Sequence, residues 1–400
     1  MRILVCSAYF ESHRGGIEIV AGQLAREFGS LGHSVSWLAS DASSPPSGTN
    51  AVGRAVPLRA SNASERWLQI PQPIPGPSAF RIIKREVARA DVVHLHDALY
   101  LVHLLALVLA RWQGKPVVLT QHIAAIPYRN RVLRLMMRAM NQLLTRPMLG
   151  YADQVVFISR LTAKAFQDVN YRRPPEMIFN GVDTAVFRPA RDATEKAQSR
   201  DRFQLAHHRP VALFVGRFVE KKGLDVLRRA AALGSDIDWV FAGWGGLDPT
   251  TWGLANVFVR SGLTQATLAP LYRASDVLVL PSTGEGLPLV LQEAMASGLA
   301  CVLNAETAGA DDRFDGLLDP VVLDPGDTLN NAAAVLQAVR GALARDRPEQ
   351  GRQRFECMRA WYSWPAAAHH YQGIFERVIA ERRLLRDGTA RPVPAARVRS

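Results

Sequence analysis

Two glutamates at a fixed spacing carry the clearest chemical signal in the sequence. Glu285 and Glu293 are separated by seven residues and follow the apolar run Val277–Leu280, which is typical of a buried parallel strand. Pro288 suits the first turn of a helix, so Glu285 is predicted in the loop and Glu293 on the helix, leaning back toward that loop. Both carboxylates could then face the crevice where open α/β sheets bind ligands. The structural alternative is that Glu285 is only a turn residue and Glu293 only a solvated helix residue.

A basic loop follows the first predicted strand of the second half of the chain. Gly216 and Arg217 directly follow that strand, and Lys222 stands just before Gly223, so both cations are predicted in the loop between strand and helix. A guanidinium can bind a diphosphate through two parallel hydrogen bonds, and an ammonium attracts it as a point charge. Arg217 and Lys222 are therefore candidates for holding a diphosphate, with a solvated basic loop as the alternative.

Glycine-containing turns follow three other predicted strands. Gly15 and Gly16 open the first helix, whose N-terminus would favour a diphosphate or a sugar, although an ordinary tight turn also fits. The third glycine of the nicotinamide-binding fingerprint is missing. The glycines of segment 242–246 could cover a ligand or form a plain loop. At the end of the next strand, the backbone around Arg260 and Gly262 could contact a nucleobase.

Histidines end two predicted strands of the first half. His122 lies just past one strand and could contact a substrate or hold a structural hydrogen bond. His94, His96 and Asp97 end the preceding strand, but no further ligand set accompanies them, which favours a pocket-lining or structural role. The Asp-x-Asp of segment 236–238 precedes a strand, which places it at the sheet edge away from the crevice. The sequence therefore predicts no metal site.

A basic amphipathic helix is predicted over 129–148. Arg131, Arg134 and Arg138 recur at helical spacing, and no acidic residue occurs from 130 through 150. Such a helix can lie on an anionic bilayer. Its apolar side could equally pack into the core. That side comprises Leu133, Met136, Met137, Met140, Leu143 and Leu144.

Strand and helix patterns alternate twice along the chain, which predicts two α/β domains with parallel sheets covered by helices. The polar segment 188–203 shows no strand pattern and is predicted to link them. Segment 41–77 is either a long loop or a set of short irregular strands. The predicted strands are 2–8, 34–39, 91–96, 116–120, 154–159 and 177–179, then 211–215, 239–242, 257–259, 277–280 and 300–303.

Composition is that of an ordinary soluble globular protein, with 48% hydrophobic residues among 400. We expect no signal peptide and no membrane-spanning helix, because no apolar run approaches the roughly 20 residues that a span needs. Three scattered cysteines fit a reducing cytosol. The net charge of +12 indicates an anionic partner or an arginine-rich composition without function, since only six of the 48 Lys and Arg residues are Lys.

Taken together, these motifs closely resemble glycosyltransferase family 4. The resemblance rests on Gly15–Gly16, on Asn180-Gly-Val-Asp183 followed by Phe187-Arg-Pro189, on the segment 216–223, and on the Glu285 and Glu293 pair. It extends over roughly residues 1 to 380. It implies the GT-B fold, an α/β architecture of two Rossmann-like parallel-sheet domains facing across a cleft, with a C-terminal helix crossing back to the first domain.

The implied domains are an acceptor domain, 1–187, the linker 188–203, a nucleotide-sugar domain, 204–360, and a closing helix, 361–385. The last residues, 386–400, are predicted to be disordered because they are rich in Pro, Ala and Arg. The implied activity is transfer of a sugar from a nucleoside-diphosphate sugar with retention of anomeric configuration.

The resemblance also assigns roles to individual residues. The catalytic group comprises Glu285 at the donor sugar, His122 near the reacting carbon, and Arg217 and Lys222 on the diphosphate. Glu293 would bind the ribose hydroxyls. The other donor-binding positions are Gly15, Gly16, Gly216, Arg260, Gly262, Gly286, Leu287 and Pro288. Segment 304–312 departs from the paired glycines and acid of the family, which puts donor-sugar and acceptor details in doubt.

No metal or other cofactor is expected, because cations and helix N-termini would neutralise the leaving diphosphate. The expected partners are a nucleotide sugar, a glycan or lipid-linked acceptor for lipopolysaccharide or exopolysaccharide, and an anionic membrane surface. The expected location is the cytoplasm, at the inner face of the plasma membrane. Nucleic acid is not expected, because a polyanion binder has no use for paired acids in a basic cleft. A nucleotide-sugar isomerase or epimerase on the same scaffold, or a non-catalytic polyanion-binding protein, is the alternative.

Overall fold

Two parallel sheets, each in its own compact unit, organise the chain. The computed structural model describes residues 1–13, 16–46, 53–61, 72–123, 131–283, 285–324 and 326–387, with the backbone alone over 131–134. The first unit comprises Met1–Gly181 and Trp364–Ser400, and the second comprises Val182–Ser363. The predicted α/β class with two Rossmann-like parallel sheets is confirmed.

The strands of the first sheet lie in the order β3-β2-β1-β6-β7-β8-β9 and are all parallel within the described residues. A separate antiparallel pair, β4 and β5, lies in segment 41–77, which was predicted to be either a long loop or a set of short irregular strands. The strands are β1 (Arg2–Cys6), β2 (Ser34–Ser40), β3 (Arg54–Leu58), β4 (Ala60–Ser61), β5 (Ile74–Pro75), β6 (Val92–His96), β7 (Val117–Gln121), β8 (Gln154–Phe157) and β9 (Glu176–Met177).

Helices cover both faces of the first sheet, and β6 and β7 are therefore buried along their whole length. One face packs against α1 and α14, the other against α2 and α3. The helices are α1 (Gly16–Ser30), α2 (Ala79–Arg89), α3 (Leu101–Trp112), α4 (Arg131–Met140), α5 (Arg146–Tyr151), α6 (Arg160–Ala165) and, at the C-terminal end, α14 (Trp364–Arg386); a π-helical turn, Asn141–Thr145, joins α4 to α5.

The strands of the second sheet are also parallel, in the order β12-β11-β10-β13-β14-β15 over the part of the chain that is described. They are β10 (Val211–Phe218), β11 (Asp238–Gly245), β12 (Val257–Arg260), β13 (Val277–Leu280), β14 (Ala300–Asn304) and β15 (Asp319–Val321). The helices of this unit are α7 (Ala193–Arg202), α8 (Leu224–Leu233), α9 (Gln265–Ala274), α10 (Leu289–Ala296), α11 (Ala305–Ala308), α12 (Thr328–Arg345) and α13 (Pro348–Trp361).

The segment predicted as a linker, 188–203, is instead part of the second unit. Asp192 caps α7 by accepting a hydrogen bond from the Glu195 backbone N–H at 2.8 Å. On that helix, the buried Arg200 donates to Asp276 Oδ2 at 2.7 Å. The segment is polar because its charges are paired inside the unit, and a lack of strand pattern alone does not identify a linker.

The closing helix returns the chain to the first unit. It was predicted over 361–385 and spans Trp364–Arg386. Its buried face contributes Tyr371 and Phe375, which pack with Phe28 of α1. The predicted tail, 386–400, lies outside the described residues except for Arg386, which ends α14, and Asp387.

Candidate functional site

The strand order of the second sheet reverses between β10 and β13, which creates a topological switch point. From β10 the chain proceeds to β11 and β12 on one side, and from β13 it proceeds to β14 and β15 on the other. Loops that leave in opposite directions open a crevice at the carboxyl edge, where α/β proteins bind ligands. Arg217 lies near the end of β10, Lys222 follows that strand, and Glu285 follows β13. The topology therefore brings together residues that the sequence placed on separate loops.

Lys222 and Glu285 form an ion pair at this switch point. The Lys222 Nζ atom lies 2.6 Å from Glu285 Oε1, and the two side chains are only 13% and 11% exposed. Lys221 Nζ lies 3.9 Å from the same oxygen, but this side chain is 55% exposed. Because water screens Lys221 far more than Lys222, the electrostatic interaction of Lys222 with Glu285 is the stronger of the two.

A glycine allows the two loops to pass so closely. Gly223 has a φ of 71°, and a Cβ atom there would lie 2.9 Å from the carbonyl oxygen of Pro281. Any other residue would combine a left-handed backbone with a steric clash. Gly223 therefore fixes the 3-10 turn Glu220–Lys222 against the start of the loop that carries Glu285.

Glu293 is buried on α10, and its environment differs from that of Glu285. Its Oε2 atom accepts a hydrogen bond from the Tyr272 hydroxyl at 2.8 Å. Burial raises the pKa of Glu293 to about 7, and the Tyr272 bond opposes that rise. A buried carboxyl group that titrates near neutrality is a candidate functional residue.

The remaining predicted donor positions of this unit surround the same edge. Gly216 adjoins Lys222, since a Cβ atom built on it would lie 3.8 Å from Lys222 Cε. Arg217 was predicted in the loop, but β10 extends to Phe218, so Arg217 is an exposed residue of the strand itself. Gly286, Leu287 and Pro288 are partly buried in the loop that leads into α10, and Pro288 occupies the N-cap position, one residue before the helix begins.

Arg260 uses its side chain inside the unit. Its guanidinium donates to the carbonyl oxygens of Phe203, at 2.5 Å, and Val259, at 2.9 Å. The backbone that follows is exposed at Gly262, which has a φ of 73°. The predicted contact with a base would therefore have to come from the backbone of this turn.

The glycines of segment 242–246 serve strand pairing. Gly243 and Gly245 belong to β11 and pair with Gly216 and Phe218 of β10. A Cβ atom on Gly243 would lie 1.9 Å from the Gly216 carbonyl oxygen. These glycines allow β11 to pair with β10 up to the carboxyl end of both strands. The sequence had predicted either a loop that covers a ligand or an ordinary loop, and not this structural role.

The first unit also places predicted residues at a carboxyl edge. His122 Nε2 lies 3.1 Å from His96 Nδ1, and burial lowers the pKa of His122 to about 3, so the ring is neutral near pH 7. His94 bonds the Thr120 hydroxyl at 2.8 Å, and this hydroxyl also contacts the Tyr371 hydroxyl at 2.8 Å. Gly16 begins α1 and is exposed, whereas Gly15 lies outside the described residues.

Asp97 holds the loop that carries His122. Its backbone is left-handed, with a φ of 79°, and its fully buried carboxylate accepts from the Gln121 side chain at 3.0 Å and the Ile123 backbone N–H at 3.0 Å. Burial raises the pKa of Asp97 to about 6. A positive φ at a non-glycine residue beside a predicted site marks strain that the surroundings maintain.

Sequence reasoning placed Asp97 with His94 and His96 at the end of a strand, in a pocket-lining or structural role, but it did not predict that Asp97 holds the loop of His122. Nothing in the sequence indicates Tyr272, because it reads as one more apolar position of α9.

The described residues include no group of three or more His, Cys, Asp or Glu side chains arranged to hold a metal ion. The acids of segment 236–238 form ion pairs with Arg340 and Arg209 instead. In segment 304–312, Asn304 caps α11, and Asp311 binds the Arg313 guanidinium at 2.8 Å. Its polar residues thus stabilise local turns.

The basic helix is α4 with the π-turn after it. Leu135 is 68% exposed and Leu143 is 80% exposed, and Arg138 is exposed as well. Leu144 packs against the core, so only part of the apolar side is buried. The side chains of Arg131 and Arg134 lie outside the described residues. No helix in the described ranges combines the length and apolar character needed to cross a bilayer.

Comparison with known proteins follows the same division of the chain. A family model described as Glycosyltransferase Family 4 matches residues 14–186, and one described as Glycosyl transferases group 1 matches residues 209–340. A D-inositol 3-phosphate glycosyltransferase of Mycolicibacterium vanbaalenii is 28% identical over 59% of this chain and 56% of its own length. A glycogen synthase of Halorhodospira halophila is 29% identical over 58% of this chain and 57% of its own length. The chain thus spans about half the length of these curated relatives.

Solved structures share the fold over nearly the whole chain. Sucrose-phosphate synthase from Thermosynechococcus elongatus superposes with a TM-score of 0.65 at 20% identity, covering 95% of this chain and 100% of its own. The Anabaena protein HepE, solved in complex with UDP, gives a TM-score of 0.69 at 14% identity over 94% of this chain and 100% of its own. Identities this low establish the fold alone.

Proposed function

Because the chain belongs to glycosyltransferase family 4 and has the GT-B fold, we propose that it transfers a sugar from a nucleoside-diphosphate sugar to an acceptor, with retention of anomeric configuration. The observation that carries this proposal is the shielded Lys222–Glu285 ion pair at the switch point of the second sheet. At this position the cation would bind the diphosphate of a donor, and the carboxylate would bind its sugar.

Lys222 would act on the leaving group. Cleavage of the glycosidic bond increases negative charge on the diphosphate, and a fixed ammonium in a shielded crevice stabilises that charge more in the transition state than in the ground state. Arg217, exposed nearby on β10, would bind the same diphosphate bidentately. A diphosphate beside Lys222 would share the ammonium with Glu285 and free that carboxylate for sugar hydroxyls.

Glu285 and Glu293 would bind different parts of the donor. Glu285 lies in the loop at the sugar end, where a carboxylate also stabilises an oxocarbenium-like centre. Glu293, deeper on α10, would accept hydrogen bonds from the ribose hydroxyls. The UDP bound in the structure of HepE supports a nucleotide donor for this fold. His122, neutral at the carboxyl edge of the first sheet, would exchange hydrogen bonds with the sugar and would not act as a cation.

The basic excess does not belong to the donor-binding unit. The first unit carries 28 of the 48 Lys and Arg residues but only 14 of the 36 Asp and Glu residues, so the second unit is slightly acidic. A nucleotide diphosphate bound in the second unit therefore cannot account for the charge of +12. The excess instead favours an anionic acceptor or membrane beside the first unit, which supports a lipid-linked acceptor for a surface glycan.

Screening a panel of nucleotide sugars tests the proposed activity. The purified chain should bind one of them tightly and hydrolyse it slowly when no acceptor is present. An epimerised donor without acceptor would favour the isomerase alternative. Failure of every nucleotide and nucleotide sugar to bind would overturn the proposal.

Membrane association should depend on the exposed apolar residues of the basic helix. Replacing Leu135 and Leu143 together by glutamate should move the protein from the pellet to the supernatant in sedimentation with vesicles of anionic lipid. Both leucines would otherwise leave water for the acyl boundary, and glutamate would also repel the lipid charge. Changing Arg131, Arg134 and Arg138 together to serine should have the same effect through lost attraction.

A matched control is Leu233→Glu at the end of α8, where an exposed leucine lies in the acidic unit. This variant should sediment like the wild type. Unchanged sedimentation of the Leu135/Leu143 variant would show that α4 has only a structural role.

A further inference from the structure

A cavity lies at the amino edge of the first sheet, away from the carboxyl edge that holds His122. Its volume is about 260 Å³. Polar groups from the starts of β1, β2 and β3 and from the end of α2 line it; they are Arg2, Ser34, Ser36, Arg54, Glu86 and Arg89. The length of the strands separates this cavity from His122, and none of the proposed donor-binding residues lines it.

One buried carboxylate pairs with three guanidinium groups, of which those of Arg54 and Arg89 line the cavity. Glu86 is 1% exposed, and it pairs with Arg54, with Arg85 at 3.0 Å and with Arg89 at 3.6 Å. A single negative charge cannot neutralise three positive charges. The arrangement therefore leaves a surplus of cations fixed in place, and their side chains stay 49–59% exposed.

Neighbouring charges do not cancel the surplus. Arg2 pairs with Asp91 at 2.7 Å, which adds one cation and one anion to the rim. Arg54 also donates to the Ser36 hydroxyl at 3.3 Å, which directs its guanidinium along the cavity wall. Arginines held in this way are organised for phosphate, because planar guanidinium groups bind phosphate oxygens bidentately.

We propose that the cavity bounded by Arg2, Arg54 and Arg89 binds a phosphate group, as a second anion site distinct from the donor site. Its volume lies just below the range of pockets that bury a drug-sized ligand. It therefore suits a phosphate monoester rather than a whole nucleotide. The phosphate could belong to a free metabolite or to a lipid headgroup, which have the same chemistry at this surface.

Phosphate titration in a Lys222→Ala background tests this site separately from the proposed donor site. Inorganic phosphate, followed by calorimetry, should bind the Lys222→Ala chain, and adding Arg89→Gln should weaken that binding at least tenfold. Arg81→Gln is the matched control, because Arg81 is exposed on the same helix but does not line the cavity. If Arg89→Gln and Arg81→Gln behave alike, the arginines serve only to neutralise Glu86 and the proposal is wrong.

Glu86→Gln provides a test of opposite sign. Removing the competing carboxylate should tighten phosphate binding severalfold if the cavity is an anion site. A purely structural ion-pair cluster predicts no gain in phosphate affinity, whatever happens to stability. Circular dichroism and the melting temperature would establish whether this variant folds, and Arg89→Gln remains decisive if it does not.

Vesicles distinguish the two sources of phosphate. If the ligand is a lipid headgroup, vesicles containing phosphatidic acid should bind the Lys222→Ala chain, and Arg89→Gln should reduce that binding although free phosphate competes poorly. If it is a free metabolite, phosphate should bind in solution and Arg89→Gln should leave vesicle binding unchanged. If neither phosphate binding nor vesicle binding depends on Arg89, the proposed site is refuted, while donor binding by the wild-type chain would still test the proposed activity.

Discussion

Replacing Lys222 by alanine should lower kcat/KM for sugar transfer by about 100-fold or more. A single positioned donor to developing negative charge contributes roughly 10² to 10³ in rate, and Lys222 is shielded from water, which strengthens its field. The substitution also leaves Glu285 without its partner at 2.6 Å, so a carboxylate would repel the incoming diphosphate. Steady-state kinetics with the donor identified by the nucleotide-sugar panel would measure the loss.

Lys221→Ala is a closely matched control for this prediction. It removes the same side chain from the adjacent residue, whose Nζ atom lies 3.9 Å from the same Glu285 oxygen but whose side chain is mostly exposed. We expect rates within a few-fold of wild type, because exposed ion pairs contribute only about 0–1 kcal/mol. Equal losses in the two variants would mean that general basicity of the loop, and not the shielded ion pair, is what matters.

Replacing Glu293 by glutamine should weaken nucleotide binding at least tenfold, equal to about 1.4 kcal/mol, while stabilising the fold at pH 8. The two effects have opposite signs because they come from different properties of the same carboxyl group. Glutamine loses the charged acceptor proposed for the ribose hydroxyls, but it also removes a charge from a site that is 9% exposed. A residue with a purely structural role would not weaken binding while raising stability.

Glu293 should also make the stability of the fold depend on pH. Its pKa in the folded chain, about 7, is above the ordinary value of a glutamate, so the folded state holds the proton more tightly than the unfolded state does. The stability contributed by this group is therefore fully present below the unfolded pKa and is lost as pH rises through about 7. Between pH 5 and pH 8, Glu293→Gln should gain up to roughly 3 kcal/mol relative to wild type.

Denaturant unfolding at pH 5 and pH 8 would measure this gain, and calorimetry with the nucleotide would measure binding. Glu220→Gln, at an exposed position beside Lys222, is the control substitution and should change neither quantity. Wild-type affinity should also rise with pH relative to Glu293→Gln, because the ionised carboxylate is the better acceptor. Unaltered nucleotide affinity in Glu293→Gln would remove this residue from the donor site.

The fold was predictable because its signals are local and repeated. Apolar runs of four to eight residues mark strands that are buried on both faces, and each predicted strand occurs in the structure at nearly its predicted place. The strand β15 and the short strands of segment 41–77 were missed or left open because they are brief or flanked by polar residues. Segment 188–203 was misassigned because ion pairs such as Arg200 with Asp276 join residues distant in sequence.

The sequence alone determined that Lys222 and Glu285 lie in loops after strands and that Glu293 lies on the next helix, since strand and helix periodicity depend on neighbouring residues only. It did not determine which of two adjacent lysines is shielded, that Tyr272 lies against Glu293, or that Gly243 pairs with a strand. Those facts depend on contacts between segments far apart along the chain. Only the packed sheet, with its reversal between β10 and β13, brings Lys222 within 2.6 Å of Glu285 and excludes enough water to raise the pKa of Glu293.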